Sequence, residues 1–234
     1  GVCSNSRRLM EKLAYYYKDF PGEAGQEADV VVTAVEATPP NLGLEFTVKP
    51  PDPGKSKIKE EYVDFPDGRM VRKRLTGMHF LFGGERHLAY GPCLQNDNQV
   101  VNFINNRYIQ WCLNRGYLLC HAAAVSSGGQ GLALAGFSGM GKSTLALELM
   151  TRGLTFVSND RLMIQRDDRG LHMLGVPKLP RVNPGTIVHN DALRQVMPEA
   201  ERVQVARLAP GELWSLEQKY DVFIDQCFGP GRFR

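Results

Sequence analysis

The 234-residue chain lacks the sequence features that mark several large classes of protein. No apolar run reaches the roughly 18 residues of a transmembrane helix, and no signal peptide pattern is visible. Its five cysteines are scattered without C-x-x-C spacing, and their odd number argues against both a disulfide framework and a zinc site. We therefore expect a cytoplasmic protein without a membrane partner.

A large excess of charge of one sign is also missing. The chain has 28 Lys and Arg against 25 Asp and Glu, a net charge of +3, which is too balanced to indicate nucleic acid as the main ligand. No internal repeat or low-complexity tract stands out. Since 43% of the residues are hydrophobic, the chain can bury a full core in one large or two small domains.

The pattern that is present lies at residues 136–143, which read G-x-x-x-x-G-K-S, the signature of a phosphate-binding loop. The apolar residues 132–135 before it predict a buried strand, and residues 144–150 after it predict a helix. Backbone N–H groups of such a loop and the positive end of the helix dipole hold polyphosphate. The alternative is a Gly-rich turn before a helix.

This pattern assigns roles to individual residues. Lys142 supplies a mobile positive charge for the outer phosphates, and the Ser143 hydroxyl is an oxygen ligand for the Mg²⁺ that accompanies ATP. The residues predicted to bind the nucleotide are Gly136, Phe137, Ser138, Gly139, Met140, Gly141, Lys142, Ser143 and Thr144.

Two residues near the loop in sequence are candidates for the chemistry. Asp160 follows the next predicted strand, only 18 positions after Lys142, which suggests a strand beside the loop strand that places Asp160 at the γ-phosphate. There it could accept a proton or bind the metal; the alternative is a surface turn or ion pair. His121 lies in a predicted strand over residues 117–125 that pairs with the loop strand, so a catalytic and a core role are both open.

The rest of the chain predicts an α/β protein in two parts. Turn signals at residues 66–68 and 83–84 indicate hairpins within a mostly β N-terminal region over residues 1–93. An amphipathic helix at residues 96–114 opens a catalytic domain over residues 94–234, with a hairpin at 162–174 and a last strand at 222–228. Because the chain ends just after an apolar run, we expect this domain to be truncated at its C-terminus.

Residues 117–164 resemble the catalytic core of the HPr kinase/phosphorylase family in order and spacing. The resemblance rests on His121, the loop, its helix and the segment Ser158-Asn159-Asp160-Arg161. It implies a bacterial serine kinase with a P-loop fold shared with phosphoenolpyruvate carboxykinase, and an oligomer, often of six subunits. It also implies that His121, Lys142 and Asp160 are catalytic, and it places Mg²⁺ at Ser143, with Asp160 as a candidate second ligand. The N-terminal region looks more like the HPr-kinase-related kinases of small bacterial gene clusters.

The chain departs from the family pattern at three places. Phe137 occupies the acidic position of the family's G-D-S-G loop, and Asn159 replaces the first residue of an Asp-Asp pair. A glutamate that the family uses for magnesium has no counterpart in residues 178–185. The resemblance therefore implies altered metal handling, and it leaves the reverse phosphorolysis reaction in doubt.

These observations predict ATP-dependent phosphoryl transfer to a hydroxyl, with a protein serine as the expected acceptor. Two other functions stay open at this point. One is a nucleotide-binding switch that transfers nothing, for which Phe137 and Asn159 would be signs of lost catalysis. The other is a small-molecule kinase on the same fold.

Overall fold

The computed structural model describes residues 1–20, 22, 25, 27–51, 53–54 and 56–233. These residues form two compact units. The first comprises Gly1–Lys18 and Gly22–Trp111, and the second comprises Asp19–Pro21 and Cys112–Arg234. The domain boundary at residue 93 stays a prediction. Within this described part of the chain, none of the helices is both long and apolar enough to cross a membrane.

The first unit is built on a mixed sheet of seven strands in the described residues. Its strands are β1 (Val2–Ser4), β2 (Val32–Glu36), β3 (Thr47–Val48), β4 (Glu60–Phe65), β5 (Gly68–Lys73), β6 (His79–Gly83) and β7 (Arg86–Gly91). Their order is β1-β2-β7-β6-β5-β4-β3, with parallel pairs only where β2 meets β1 and β7. Both predicted hairpins are confirmed, as β4 with β5 and β6 with β7.

Two helices complete the core of the first unit. Helix α1 (Arg7–Tyr16) is capped by Ser6, whose side-chain oxygen accepts a hydrogen bond from the Leu9 N–H. The helix buries Leu9 and Leu13. Helix α2 (Asp97–Leu113) contributes the buried residues Val100, Val101 and Phe103 to the same core. Burial of this apolar side of α2 is what its helical periodicity predicts.

In the described residues, the second unit contains two three-stranded antiparallel sheets and one two-stranded antiparallel sheet. Its strands are β8 (Leu118–Cys120), β9 (Ala122–Ser127), β10 (Gln130–Ala135), β11 (Thr155–Ser158), β12 (Leu162–Asp167), β13 (Gly170–Gly175), β14 (Arg181–Val182) and β15 (Tyr220–Asp221). One sheet has the order β10-β9-β11, the other has the order β13-β12-β8, and β14 pairs with β15. The predicted hairpin over residues 162–174 is confirmed as β12 with β13.

Helices pack around these sheets. They are α3 (Lys142–Thr151), α4 (Pro184–Val188), a 3-10 helix (Asp191–Val196), α5 (Glu199–Val205), α6 (Pro210–Ser215) and α7 (Ile224–Phe228). Helix α3 buries Ala146, Leu147 and Met150 in a core that also contains Val125 of β9 and Phe156 of β11. The chain is a mixed α/β protein, as predicted, while the specific P-loop kinase core stays a prediction.

Two predicted elements are wrong. The single strand over residues 117–125 is two strands, because the chain leaves one sheet at Cys120 and joins the other at Ala122. The last predicted strand, residues 222–228, begins just after β15 and is mostly the short helix α7. Both segments are apolar runs, and an apolar run can be buried in more than one kind of element. Periodicity alone therefore does not distinguish between these alternatives.

Candidate active site

The candidate site lies where three strand ends meet at one edge of the β10-β9-β11 sheet. Strand β9 runs antiparallel to both neighbours, with Ala122 opposite Ala135 and Ala124 opposite Ser158. The end of β10, the beginning of β9 and the end of β11 therefore share this edge. The loop follows β10, His121 precedes β9, and Asp160 follows β11. The fold thus gathers residues from three separate chain segments.

The strand arrangement corrects one detail of the sequence analysis. Strand β9 pairs with β10, as predicted for the segment that contains His121. Strand β11, however, does not lie beside the loop strand, because β9 lies between them. Asp160 reaches the site because the chain crosses between the two sheets at residues 159–161, next to the crossing at His121. His121 itself is an exposed connecting residue, not a core residue.

His121, Asp160 and Lys178 form a polar cluster at these crossings. His121 Nδ1 lies 3.2 Å from Asp160 Oδ1, and Lys178 Nζ donates a hydrogen bond of 3.2 Å to Asp160 Oδ2. Asp160 is about one third exposed, and the His121 side chain is 57% exposed. Each oxygen of the carboxylate therefore has one nitrogen partner, which fixes the orientation of its plane.

The turn that carries Asp160 is held by its neighbours. The buried Ser158 hydroxyl donates to the carbonyl oxygen of Arg161, which closes the chain around Asn159 and Asp160. Asn159 Oδ1 is buried and has no hydrogen-bond partner among the described residues. A buried acceptor without a partner is uncommon in folded proteins.

Lys178 is positioned by a close backbone contact. A Cβ atom at Gly175 would lie 2.0 Å from the carbonyl oxygen of Val157, so only glycine lets the end of β13 approach β11 this closely. The chain then turns, with the Lys178 N–H donating to the carbonyl oxygen of Val176 at 2.7 Å. This turn directs the lysine toward Asp160.

The phosphate-binding pattern adopts a loop followed directly by helix α3. Gly139 and Gly141 have φ angles of 82° and 78°, in the left-handed region that favours glycine. Gly141 is the N-cap residue and provides no side-chain cap for the first turn of α3. Lys142 Nζ donates to the carbonyl oxygens of Gly136 and Phe137 at 2.8 and 2.9 Å. An uncapped N-terminus with a lysine folded over the loop suits an anion.

A cavity of about 500 Å³ brings most of the predicted residues together. The predicted residues that line it are His121, Ser138, Gly139, Gly141, Lys142, Ser143, Thr144 and Asp160. Gly136, Phe137 and Met140 do not line it, and the side chains of Phe137 and Met140 are 85% and 68% exposed. The wall also contains Lys178, Arg181 and Lys219 against the single carboxylate of Asp160, so the cavity carries an excess of positive charge that favours an anionic ligand.

Sequence patterns gave no role to several residues of this wall. Thr186, Trp214 and Lys219 come from α4, α6 and the segment before β15, more than 40 positions after Lys142. Asp221 lies opposite Arg181 in the β14–β15 pair and forms an ion pair with it. Burial raises the pKa of Asp221, while Arg181 and Lys178 act in the opposite direction. These elements are too short for their periodicity to be read from sequence.

The residues present fit a polyphosphate and its magnesium ion in different ways. The loop backbone and Lys142 offer donors to phosphate oxygens. For a hard cation, the Ser143 hydroxyl and the Asp160 carboxylate are oxygen ligands from residues that line one cavity. No group of three or more His, Cys, Asp or Glu side chains is arranged to hold a metal among the residues described. Magnesium would therefore depend on oxygens of the nucleotide.

Curated proteins similar to this chain have one name in common. The chain is 30% identical over 111 residues to the HPr kinase/phosphorylase of Geobacillus sp. (strain WCH70), which covers 43% of this chain and 34% of that protein. It is 28% identical over 168 residues to the HPr kinase/phosphorylase of Bacillus cereus (strain B4264), covering 68% of this chain and 48% of that protein. These alignments span between a third and a half of the relatives' length.

Two other comparisons found nothing. No family profile matches the chain. No solved structure matches it either.

The chain is a mixed α/β protein whose cavity carries an excess of positive charge, and the two relatives described above are named as kinases. The predicted resemblance to HPr kinase/phosphorylase is confirmed, because the chain is similar to curated proteins of that name at 28–30% identity.

Proposed function

We propose that this chain is an ATP-dependent kinase that transfers the γ-phosphoryl group to a hydroxyl, namely a serine of a protein acceptor. The observation that carries the proposal is the position of the Asp160 carboxylate. It lies between His121 and Lys178 in a cavity that loop residues 138–139 and 141–144 also line. A carboxylate beside a phosphate-binding loop is the arrangement that proton removal from an attacking hydroxyl requires.

In this proposal the loop holds the phosphates of ATP. The N–H groups at the beginning of α3 donate to phosphate oxygens, and Lys142 exchanges its contacts with two loop carbonyls for contacts with the outer phosphates. Ser143 and Asp160 are the residues that would hold Mg²⁺, which neutralises phosphate charge when bound. Positioning and charge neutralisation supply most of the rate enhancement in phosphoryl transfer.

In the transfer step, one bond to the γ-phosphorus forms and another breaks. The hydroxyl oxygen of the acceptor forms a bond to the γ-phosphorus, the bond from that phosphorus to the β–γ bridging oxygen breaks, and ADP leaves. The hydroxyl proton passes to Asp160. His121 and Lys178 keep the carboxylate oriented, and Lys178 adds positive charge beside the transferring group. The proposal includes no reverse, phosphorolytic step.

An isosteric substitution of Asp160 tests the proposal. We expect Asp160→Asn to slow transfer from γ-labelled ATP by about 100-fold or more, because general-base catalysis contributes on the order of 10² to 10⁴ in rate. Asp168→Asn makes the same chemical change in the turn between β12 and β13, outside the cavity, and should keep the wild-type rate. Equal rates for wild type and Asp160→Asn would rule out Asp160 as the base.

The choice of acceptor needs its own comparison. HPr is the first protein to test, because the relatives carry its name. Label appearing on an HPr serine, and absent from a mixture of small hydroxyl metabolites, would support the protein kinase. The opposite distribution would indicate a small-molecule kinase.

One observation favours a second candidate, a nucleotide-binding switch without transfer. Phe137 stands where the resembling family has an acidic residue and does not line the cavity, and Asn159 replaces a second carboxylate beside Asp160. The same assay separates the two functions. Tight ATP binding with no turnover for any acceptor or for water would favour the switch.

A further inference from the structure

Trp214 is an aromatic residue of the cavity that the proposed chemistry does not use. It belongs to helix α6 and is 49% exposed, whereas its neighbour Leu213 is buried in the same short helix. Among the described residues that line the cavity, it is the one large aromatic side chain other than the imidazole of His121. A half-exposed tryptophan in a cavity wall is a typical surface for stacking a planar ligand.

One face of the Trp214 ring is already covered. A Cβ atom at Gly185 would lie 2.7 Å from Trp214 Cε3, so the ring lies directly against the backbone of α4. The imidazole of His189 stacks on Trp214 with centroids 5.6 Å apart and an interplanar angle of 18°. Gly185 and His189 are four positions apart and therefore lie on one side of a helical turn. The exposed area of Trp214 consequently belongs to its opposite face and its edge.

The His189 imidazole that stacks on Trp214 is held in place by a hydrogen bond. The His189 Nδ1 lies 2.8 Å from the carbonyl oxygen of Gly185, and since a carbonyl only accepts, Nδ1 carries the hydrogen. The imidazole is thus held in the orientation that stacks on Trp214. A rigid ring loses little conformational freedom when a ligand stacks on it.

Helix α4, which supports the Trp214 ring, also connects it to the phosphate-binding loop. The Thr144 hydroxyl in the first turn of α3 and the Thr186 hydroxyl of α4 form a hydrogen bond of 2.8 Å. Thr186 is adjacent to Gly185, on which the Trp214 ring lies, and both threonines line the cavity. The beginning of α3 and the aromatic surface are therefore parts of one continuous cavity wall.

We propose that the free face of Trp214 stacks on the base of the nucleotide whose phosphates the loop holds; this rests on the proposed nucleotide site. One ligand with a polyphosphate at one end and a flat aromatic ring at the other matches the cationic and aromatic parts of the wall. Stacking depends on ring area and not on base-edge hydrogen bonds, so the site prefers purine over pyrimidine nucleotides and distinguishes ATP from GTP poorly.

Equilibrium binding of ATP, CTP and inorganic tripolyphosphate to the full chain tests this proposal. We expect Trp214→Ala to weaken ATP binding by about 10-fold or more while tripolyphosphate binding changes less than about twofold, and Trp214→Phe to keep most of the ATP affinity. Lys142→Ala should weaken ATP and tripolyphosphate together. Circular dichroism of each variant reports whether the fold is kept.

Tryptophan fluorescence gives an independent readout. The chain has two tryptophans, so Trp111→Phe leaves Trp214 as the only one. Its emission should be quenched by ATP and GTP, more weakly by CTP, and not by tripolyphosphate.

Different results would contradict the stacking proposal and the proposed phosphate site. If Trp214→Ala leaves ATP affinity unchanged, or weakens tripolyphosphate as much as ATP, the stacking proposal is wrong while the loop assignment stands. If wild type binds no tripolyphosphate, or Lys142→Ala has no effect, the proposed phosphate site is wrong, and stacking as described here fails with it.

Discussion

At the scale of single residues, the arrangement around Asp160 has the most direct consequence for function. A carboxylate with a nitrogen partner on each oxygen is held in one orientation, and general-base catalysis depends on that orientation as much as on basicity. Residues that contact Asp160 should therefore affect turnover more than other cations of the cavity do.

Lys178→Met tests this difference. We expect it to lower kcat by about 10-fold with a smaller change in KM, because it removes the donor to Asp160 Oδ2 and a charge beside the transferring group. Lys219→Met removes an equal charge from the same cavity wall without a described contact to Asp160, and it should act mainly on KM. Steady-state kinetics at saturating and limiting ATP measures both constants. Identical effects of the two variants would contradict a specific role for Lys178.

At the scale of elements, the position of Lys178 depends on the contact between β13 and β11. Gly175→Ala places a methyl group 2.0 Å from the Val157 carbonyl oxygen, so the end of β13 must move. We expect a loss of about 1–3 kcal/mol in the free energy of unfolding, the usual cost of overpacking. Turnover should also fall, since the turn that carries Lys178 follows directly.

A matched substitution separates this clash from a general effect of replacing glycine. Gly211 lies in α6, and a Cβ atom there would meet no other atom within 4 Å. Gly211→Ala should leave stability unchanged or raise it by about 0.5–1 kcal/mol. Urea unfolding of both variants measures the difference. A Gly175→Ala variant as stable as Gly211→Ala would show that β11 and β13 move apart without a loss of stability.

The same elements show how far the sequence predicts the structure. The phosphate-binding pattern, helix α3 and three hairpins follow from local signals, namely glycine positions and apolar periodicity. The break at His121 and the order β10-β9-β11 do not, because they arise from pairing between strands distant in sequence. His121 and Asp160 are candidates because of their spacing from the loop, and the resemblance implies their catalytic roles. Trp214 and Lys219 come from helices and turns too short to carry a periodic signal.

At the scale of the whole molecule, sequence similarity supports a relationship to other proteins but not a specific function. The relatives share 28–30% identity with parts of this chain, which supports a distant relationship and not a specific substrate. The protein acceptor and the oligomeric state stay predictions. Nucleotide binding is also a prediction, but it would stabilise the folded chain and can be tested without knowing the acceptor.

Ligand binding stabilises the folded state in proportion to the logarithm of ligand concentration over Kd. At 100 times Kd, ATP with Mg²⁺ should add about 2.7 kcal/mol, which for a chain of this size raises Tm by roughly 5–10 °C. Removing Mg²⁺ with a chelator should reduce the shift, since the Asp160 carboxylate then faces uncompensated phosphate charge. Lys142→Ala should abolish most of it, whereas Arg152→Ala at the far end of α3 should not. A thermal shift in Lys142→Ala equal to that of wild type would mean that the nucleotide binds elsewhere, because the stabilisation requires contacts that only the folded loop provides.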